Sequence, residues 1–336
     1  MKQGSKSNNR ESKWAIYKLK YFMYSSEMEH LNCSIPADPF VGSARIIYVA
    51  SCIVIIIVSI ALQTIFVLTC QKMKGWKSDF AFYLLQLMAI FSILSYIGFL
   101  LSYIHGLFLF DSPGLAKITG CIYQAGFFAF VISSVCLTVH RLFYTLLPLR
   151  SHVILTRTVE MICIASITLF YIVYVLITLT PLASLEFCPA VFFFYSDEAP
   201  LQTLSVWMDR LFNYAVGVVN VTAYTIIFIT LFLKGSLTFK RNSEIRMTFQ
   251  AALVSACELF FFLYWEHGRA LPELWLNALD GYSMIIYYDV LILPYMILNE
   301  TVRAEMKNLF CKQKLRTSIV PSVDRSRSTL RQRQGV

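Results

Sequence analysis

Charge is scarce in this sequence. Asp, Glu, Lys and Arg make up 15% of its 336 residues and hydrophobic types 57%, whereas ordinary soluble domains carry about a quarter charged residues. Other absences narrow the function. The histidines are scattered, and there is no His/Cys/Asp metal spacing and no nucleophile motif, so neither catalysis nor a metal or cofactor is expected. The net charge of +9 is split among short basic segments rather than gathered on one face, which argues against a nucleic-acid partner. Residues 1–45 contain no apolar run of the signal-peptide kind, so the first membrane segment is expected to act as its own anchor.

What the sequence does have is long apolar runs. Seven segments can cross a bilayer as helices: about 46–70, 80–104, 118–139, 159–180, 207–233, 247–265 and 277–298. The expected fold is an all-α membrane protein, a seven-transmembrane helix bundle over 46–298. Residues 1–45 form an extracellular segment, 299–312 a short amphipathic eighth helix at the membrane surface, and 313–336 a disordered basic cytosolic tail.

Orientation follows from the basic residues at the span ends. The loops after spans 1, 3 and 5 carry ten, from Lys72 to Arg246, while those after spans 2, 4 and 6 carry only Lys117 and Arg269. Basic loops stay in the cytosol, which places the N-terminus outside and the tail inside a plasma-membrane protein. Asn32-Cys33-Ser34 is then an external glycosylation sequon at Asn32. The basic, aromatic segment Lys13–Tyr24 either lies on a membrane surface or belongs to an upstream extension, with Met23 or Met28 as the initiator. Cys311, beside the membrane, is a palmitoylation candidate, and Arg325-Ser-Arg-Ser-Thr329 suits basophilic kinases.

The stretch Gly120–Arg150 organises the chain. It is uncharged from Ile118 to Val139, begins beside Cys121, ends in Val139-His140-Arg141, and places Pro148 seven residues beyond the arginine. This grammar resembles the third transmembrane helix of G-protein-coupled receptors. The resemblance gives Arg141, His140 and Pro148 a part in G-protein coupling; the plainer alternative for Arg141 is a terminal arginine that merely snorkels. His140 stands where rhodopsin-like receptors carry an acid, so their usual restraint on the arginine is absent. Span 1 has Gln63 as its only amide, span 2 has no acid, span 4 has no tryptophan and span 6 no proline. All of these depart from the rhodopsin-like pattern. In that pattern Cys121 pairs with Cys188 of the loop after span 4, with Cys33 a competing partner. Cys121 stands about five residues too close to Arg141, hence about 7 Å lower than usual.

Three further positions are read as a polar switch. Glu258 in span 6 is costly in lipid and must face the bundle, where a structural tie between helices is the alternative. Asp289 lies five residues before Pro294, and Pro294 frees a backbone carbonyl where a hinge can form. Ligand-facing candidates towards the outer side are Trp207, Asn213, Glu258, Tyr264, Asp280 and Tyr282. The run Phe192–Tyr195 is either a lid over a pocket or a contact with the bilayer surface.

Val139-His140-Arg141 with Pro148, Leu279-Asp280-Gly281, and Leu293-Pro294-Tyr295 followed by Leu298-Asn299-Glu300-Thr301-Val302-Arg303 look like a nematode serpentine chemoreceptor, nearest to class X. The resemblance implies a sensory receptor that takes a small-molecule ligand outside and activates a heterotrimeric G protein inside, with membrane lipid around it and kinases and arrestin at the tail. A seven-span ligand-gated channel or transporter is the alternative; current evoked without a G protein would favour it, whereas the sequence lacks the paired repeats and broken helices of transporters.

Overall fold

The computed structural model describes residues 33, 40–73, 80–109, 112–147, 155–183, 185–195, 200–233, 243–267 and 275–318; within these, the side chains of 231, 243–249, 251–252, 267, 275, 277 and 310–318 are outside the description. The helices are α1 (Gly42–Lys72), α2 (Phe80–Phe108), α3 (Pro113–Leu146) and α4 (Arg157–Leu179), followed by a two-stranded antiparallel hairpin, β1 (Glu186–Cys188) and β2 (Phe193–Tyr195). Next come α5 (Gln202–Tyr214), a π-helical turn (Ala215–Asn220) and α6 (Val221–Leu233) in one run, then α7 (Ser243–His267), α8 (Trp275–Leu298) and α9 (Glu300–Ser318).

Local chemistry sets several of these ends. Pro113 occupies the first turn of α3, where its missing N–H costs nothing. The Thr156 hydroxyl accepts from the N–H of Val159 to open α4. Asn299 Oδ1 accepts from the N–H groups of Thr301 (3.1 Å) and Val302 (3.2 Å), separating α9 from α8.

Among the described residues six segments are long and apolar enough to cross a membrane: α1, α2, α3, α4, Gln202–Thr230 and Ala278–Leu298. The chain is thus a helical, multi-pass membrane protein. The stretch expected at 247–265 lies within α7, whose described residues do not add to those six. Pro294 does not break α8, which continues to Leu298.

α3 is the axis. It packs against α2, α4, the π turn, α6 and β1, while α8 packs on α1, α2 and α7 and closes the ring. In its most apolar window 72% of α3 is buried, against 17% of α4, so α4 is peripheral and turns Met161, Ile162, Leu169 and Leu176 outwards. An apolar exterior of this kind fits a hydrocarbon surround.

The hairpin docks on the top of the bundle through a close backbone approach. A methyl group at Gly120 in α3 would collide with the carbonyl oxygen of Leu185, just before β1. Here the expected disulfide is corrected. Cys188 is bonded to Cys33, with Cα atoms 5.1 Å apart, and Cys121 is a free, fully buried thiol. Cys121 is packed at the hairpin end of α3, beside Thr178 of α4 and near Glu186 at the start of β1, while Cys188, two residues further along that strand, pairs with the N-terminal segment instead. The sequon at Asn32, Pro148 and the tail beyond Ser318 lie outside the described residues, as does the side chain of Cys311.

Two outcomes follow. Non-reducing peptide mapping is expected to recover a Cys33–Cys188 crosslink, and Cys33→Ser to cost ~4 kcal/mol of stability in a thermal melt, whereas Cys121→Ala leaves the crosslink intact. Gly120→Ala is expected to lower stability by about 1–3 kcal/mol through the collision with Leu185, while Gly114→Ala, where a methyl meets nothing within 4 Å, is neutral.

Candidate functional site

In an apolar surround a polar side chain must be met by another side chain or by backbone, and three such groups are stacked along the bundle. The deepest centres on Glu258 of α7, which is 1% exposed. Its Oε1 accepts from Ser134 Oγ of α3 at 2.8 Å and its Oε2 from Asn220 Nδ2 at 2.5 Å. Asn220 ends the π turn, whose extra residue per turn re-aims the side chains after it. Gly217 within that turn lets the Phe262 ring of α7 press on the backbone, since a methyl there would meet the ring at 2.7 Å. Asn220 Oδ1 is buried with no hydrogen-bond partner. One carboxylate thus ties α3, the π turn and α7, with the Tyr287 ring of α8 alongside.

The second group is Asp289 of α8. It accepts from Ser59 Oγ and from Gln63 Nε2 (3.1 Å), both on α1. Nearby, Tyr96 of α2 donates to the carbonyl of Ile285 at 2.8 Å. The lone amide of the first span and one of the two acids of the last thus meet each other. Five residues on, the Pro294 carbonyl accepts from Gln250 Nε2 of α7 at 2.7 Å, fastening α7 to α8 where the helix lacks an amide proton.

The third group is Arg141, two turns below Ser134 on α3. Its guanidinium carbon lies 5.2 Å from the centre of the Tyr295 ring, with Tyr224 of α6 also beside it. Nε and Nη1 are buried without hydrogen-bond partners. Two tyrosines therefore stand beside the charge. His140 itself is buried against Phe80 (5.1 Å between ring centres) and Tyr144 (4.7 Å).

At the other end the hairpin closes the bundle with aromatic rings. Phe192, at a left-handed φ of 55°, inserts against Phe40, Tyr48 and Tyr103. Phe194 stacks on Tyr123 at 4.5 Å. Phe192 is thus buried in the bundle, and Phe193–Tyr195 are half-buried. Below it, Tyr264 donates to Asp280 at 2.9 Å and Tyr282 shares a 2.5 Å hydrogen bond with Ser51.

The expected ligand-facing residues therefore divide. Tyr264, Asp280 and Tyr282 gather near the hairpin-side ends of α7 and α8. Asn213 is buried, but its amide turns along its own helix to Asp209 at 3.5 Å. Glu258 sits deep in the bundle, tied to α3 and the π turn. Trp207 is 61% exposed beside Arg210 and stands apart from the bundle interior. Ser59, Ser134, Tyr224 and Arg45 were not singled out by the sequence, and Tyr295 only as part of Leu293-Pro294-Tyr295. A serine mid-span carries no signal of its partner, and Arg45 precedes the expected start of span 1 by one residue and so reads as an ordinary membrane-edge charge.

Glu258→Ala is expected to lower stability by about 2–4 kcal/mol, because it strands buried Ser134 and Asn220. Glu258→Gln, which keeps shape and an acceptor, is expected to lose less, both read as melting temperatures in lipid nanodiscs. In comparison with known proteins, the chain matches no protein-family model and no curated sequence.

Proposed function

We propose that the chain is a seven-span receptor of the G-protein-coupled kind, with α7 as the sixth span, α9 as a surface helix, its N-terminus outside and its tail in the cytosol of a plasma membrane. It takes a small chemical from the outer side, in a chemosensory role, and activates a heterotrimeric G protein at its inner end. The observation that carries this reading is the guanidinium of Arg141, held at the inner end of the central helix by the Tyr295 ring and Tyr224 rather than by a carboxylate. A contact of this type is worth about 1 kcal/mol. It is strong enough to hold a resting state and weak enough to yield when a ligand biases the bundle.

The switch positions fit the same mechanism. Tyr295 follows Pro294, so movement of the last turns of α8 about that proline withdraws the ring and frees Arg141 for a partner. Asp289 and Glu258 anchor α8 and α7 above the moving end.

Nucleotide exchange on purified G proteins, with the receptor in nanodiscs and a chemical panel, tests this. Arg141→Ala is expected to abolish receptor-stimulated exchange. Tyr295→Leu, which removes the ring but not the charge, is expected to raise basal exchange by about three- to tenfold. Equal exchange from wild type and Arg141→Ala overturns the assignment.

A further inference from the structure

Arg45, in the second turn of α1, is 5% exposed. Its Nε and Nη2 donate to the carbonyl of Gly106 in the last turn of α2, and Nη2 also donates to the carbonyl of Pro189 in the hairpin turn at 2.8 Å. The guanidinium carbon lies 4.6 Å over the Phe192 ring. Nη1 is buried and has no hydrogen-bond partner. Among the described residues every recorded partner is a carbonyl dipole or a ring, and none is a carboxylate. A full charge has been taken out of water with no counter-ion among the described residues, and such a charge is held at substantial cost.

The backbone beside it has the same sign. α1 opens without a side-chain cap and without an acid in its first turn, so the N–H groups there add partial positive charge. Helical side chains lean towards the N-terminus, which brings the Arg45 stem beneath that turn. Val41–Ala44 are exposed, so the turn is open from outside. One wall is aromatic: Phe40, Tyr48 and Phe192 have ring centres 5.0–5.3 Å apart. Phe192 holds a left-handed backbone that non-glycine residues adopt only under strain.

We propose that this corner is the seat of a small organic acid. Its carboxylate would meet Arg45 Nη1 and the first-turn N–H groups of α1, and its apolar body would lie against the aromatic wall as Phe192 gives way. The planar fork of arginine suits a carboxylate better than it suits a neutral group. The inference deepens the receptor reading by naming the ligand class and rests on that reading for its biological role, but binding is measured without any G protein.

The test is thermal melting of the full chain in nanodiscs with 4-phenylbutyrate and hexanoate, each against its neutral amide. The acids are expected to raise the melting temperature, with the amides at least about tenfold weaker in apparent affinity. Arg45→Lys is expected to keep the preference for the acid and Arg45→Gln to lose it, while peptide mapping of the Cys33–Cys188 bond shows the hairpin still formed. Equal shifts from acid and amide, no shift from any of the four, or an undiminished preference in Arg45→Gln overturns the proposal. The acid–amide comparison in the wild type stands even where Arg45→Gln fails to fold. Acid preference in a protein that activates no G protein supports the seat while overturning the receptor reading.

Discussion

The buried carboxylate of Glu258 sets the terms for the bundle. An acid in a hydrocarbon surround has no water to turn to, so its position is tolerable only where other helices supply donors. Ser134 and Asn220 supply them, one from the central helix and one from the only π turn among the described residues. The same demand explains which helices lie inside. α3 and α8 carry the groups that others must reach, and both are enclosed. α4 needs few polar ties, chiefly Tyr174 to Gln124 at 2.7 Å and the Thr180 carbonyl just past its end to Lys117 at 3.0 Å, and most of its surface is left to lipid.

Positive charge is handled differently from negative charge. Asp289 and Glu258 each accept hydrogen bonds from side chains of neighbouring helices, whereas Arg45, Arg141 and Arg210 each lie over an aromatic ring, of Phe192, Tyr295 and Trp207 respectively. The two strategies differ in stiffness. A carboxylate fixed by two directional bonds resists displacement by roughly 1.5–3 kcal/mol per bond, while a ring face accepts a cation over a range of positions for about 1 kcal/mol. Carboxylates therefore act as pins in this bundle and the Arg141–Tyr295 contact as a slip joint, while Arg45 is pinned as well, by its hydrogen bonds to the Gly106 and Pro189 carbonyls.

The helices were legible in the sequence because an apolar run is a local property: each expected segment lies within or very near an observed helix. Pairing was not local, and there reading failed. Cys188 had two candidate partners, and its choice of Cys33 depends on where the hairpin lies over α3, which no spacing discloses. Gln63 and Asp289 each stood out as polar groups in apolar spans, but only packing of α1 on α8 brings them together. Trp207 shared a span with Asn213, yet faces outwards, because a helix of mixed composition does not announce which side is buried. Arg45 was hidden by the boundary itself: one residue ahead of an apolar run, a buried cation looks like any membrane-edge charge.

α8 is where these features join. From its outer end inwards it carries Asp280 against Tyr264, Ser283 against Trp265, Asp289 against α1, Pro294 against Gln250 and Tyr295 against Arg141. Four of these are hydrogen bonds with defined donors; the last is a ring over a cation, and it lies past the proline, where the helix has lost one of its own hydrogen bonds. The N-terminal part of α8 is therefore held at each hydrogen-bonded station, and its last turn by the ring contact alone among these five. Displacing the last turn of α8 disturbs the Tyr295–Arg141 contact, whereas displacing the turns before it breaks hydrogen bonds to α1 and α7.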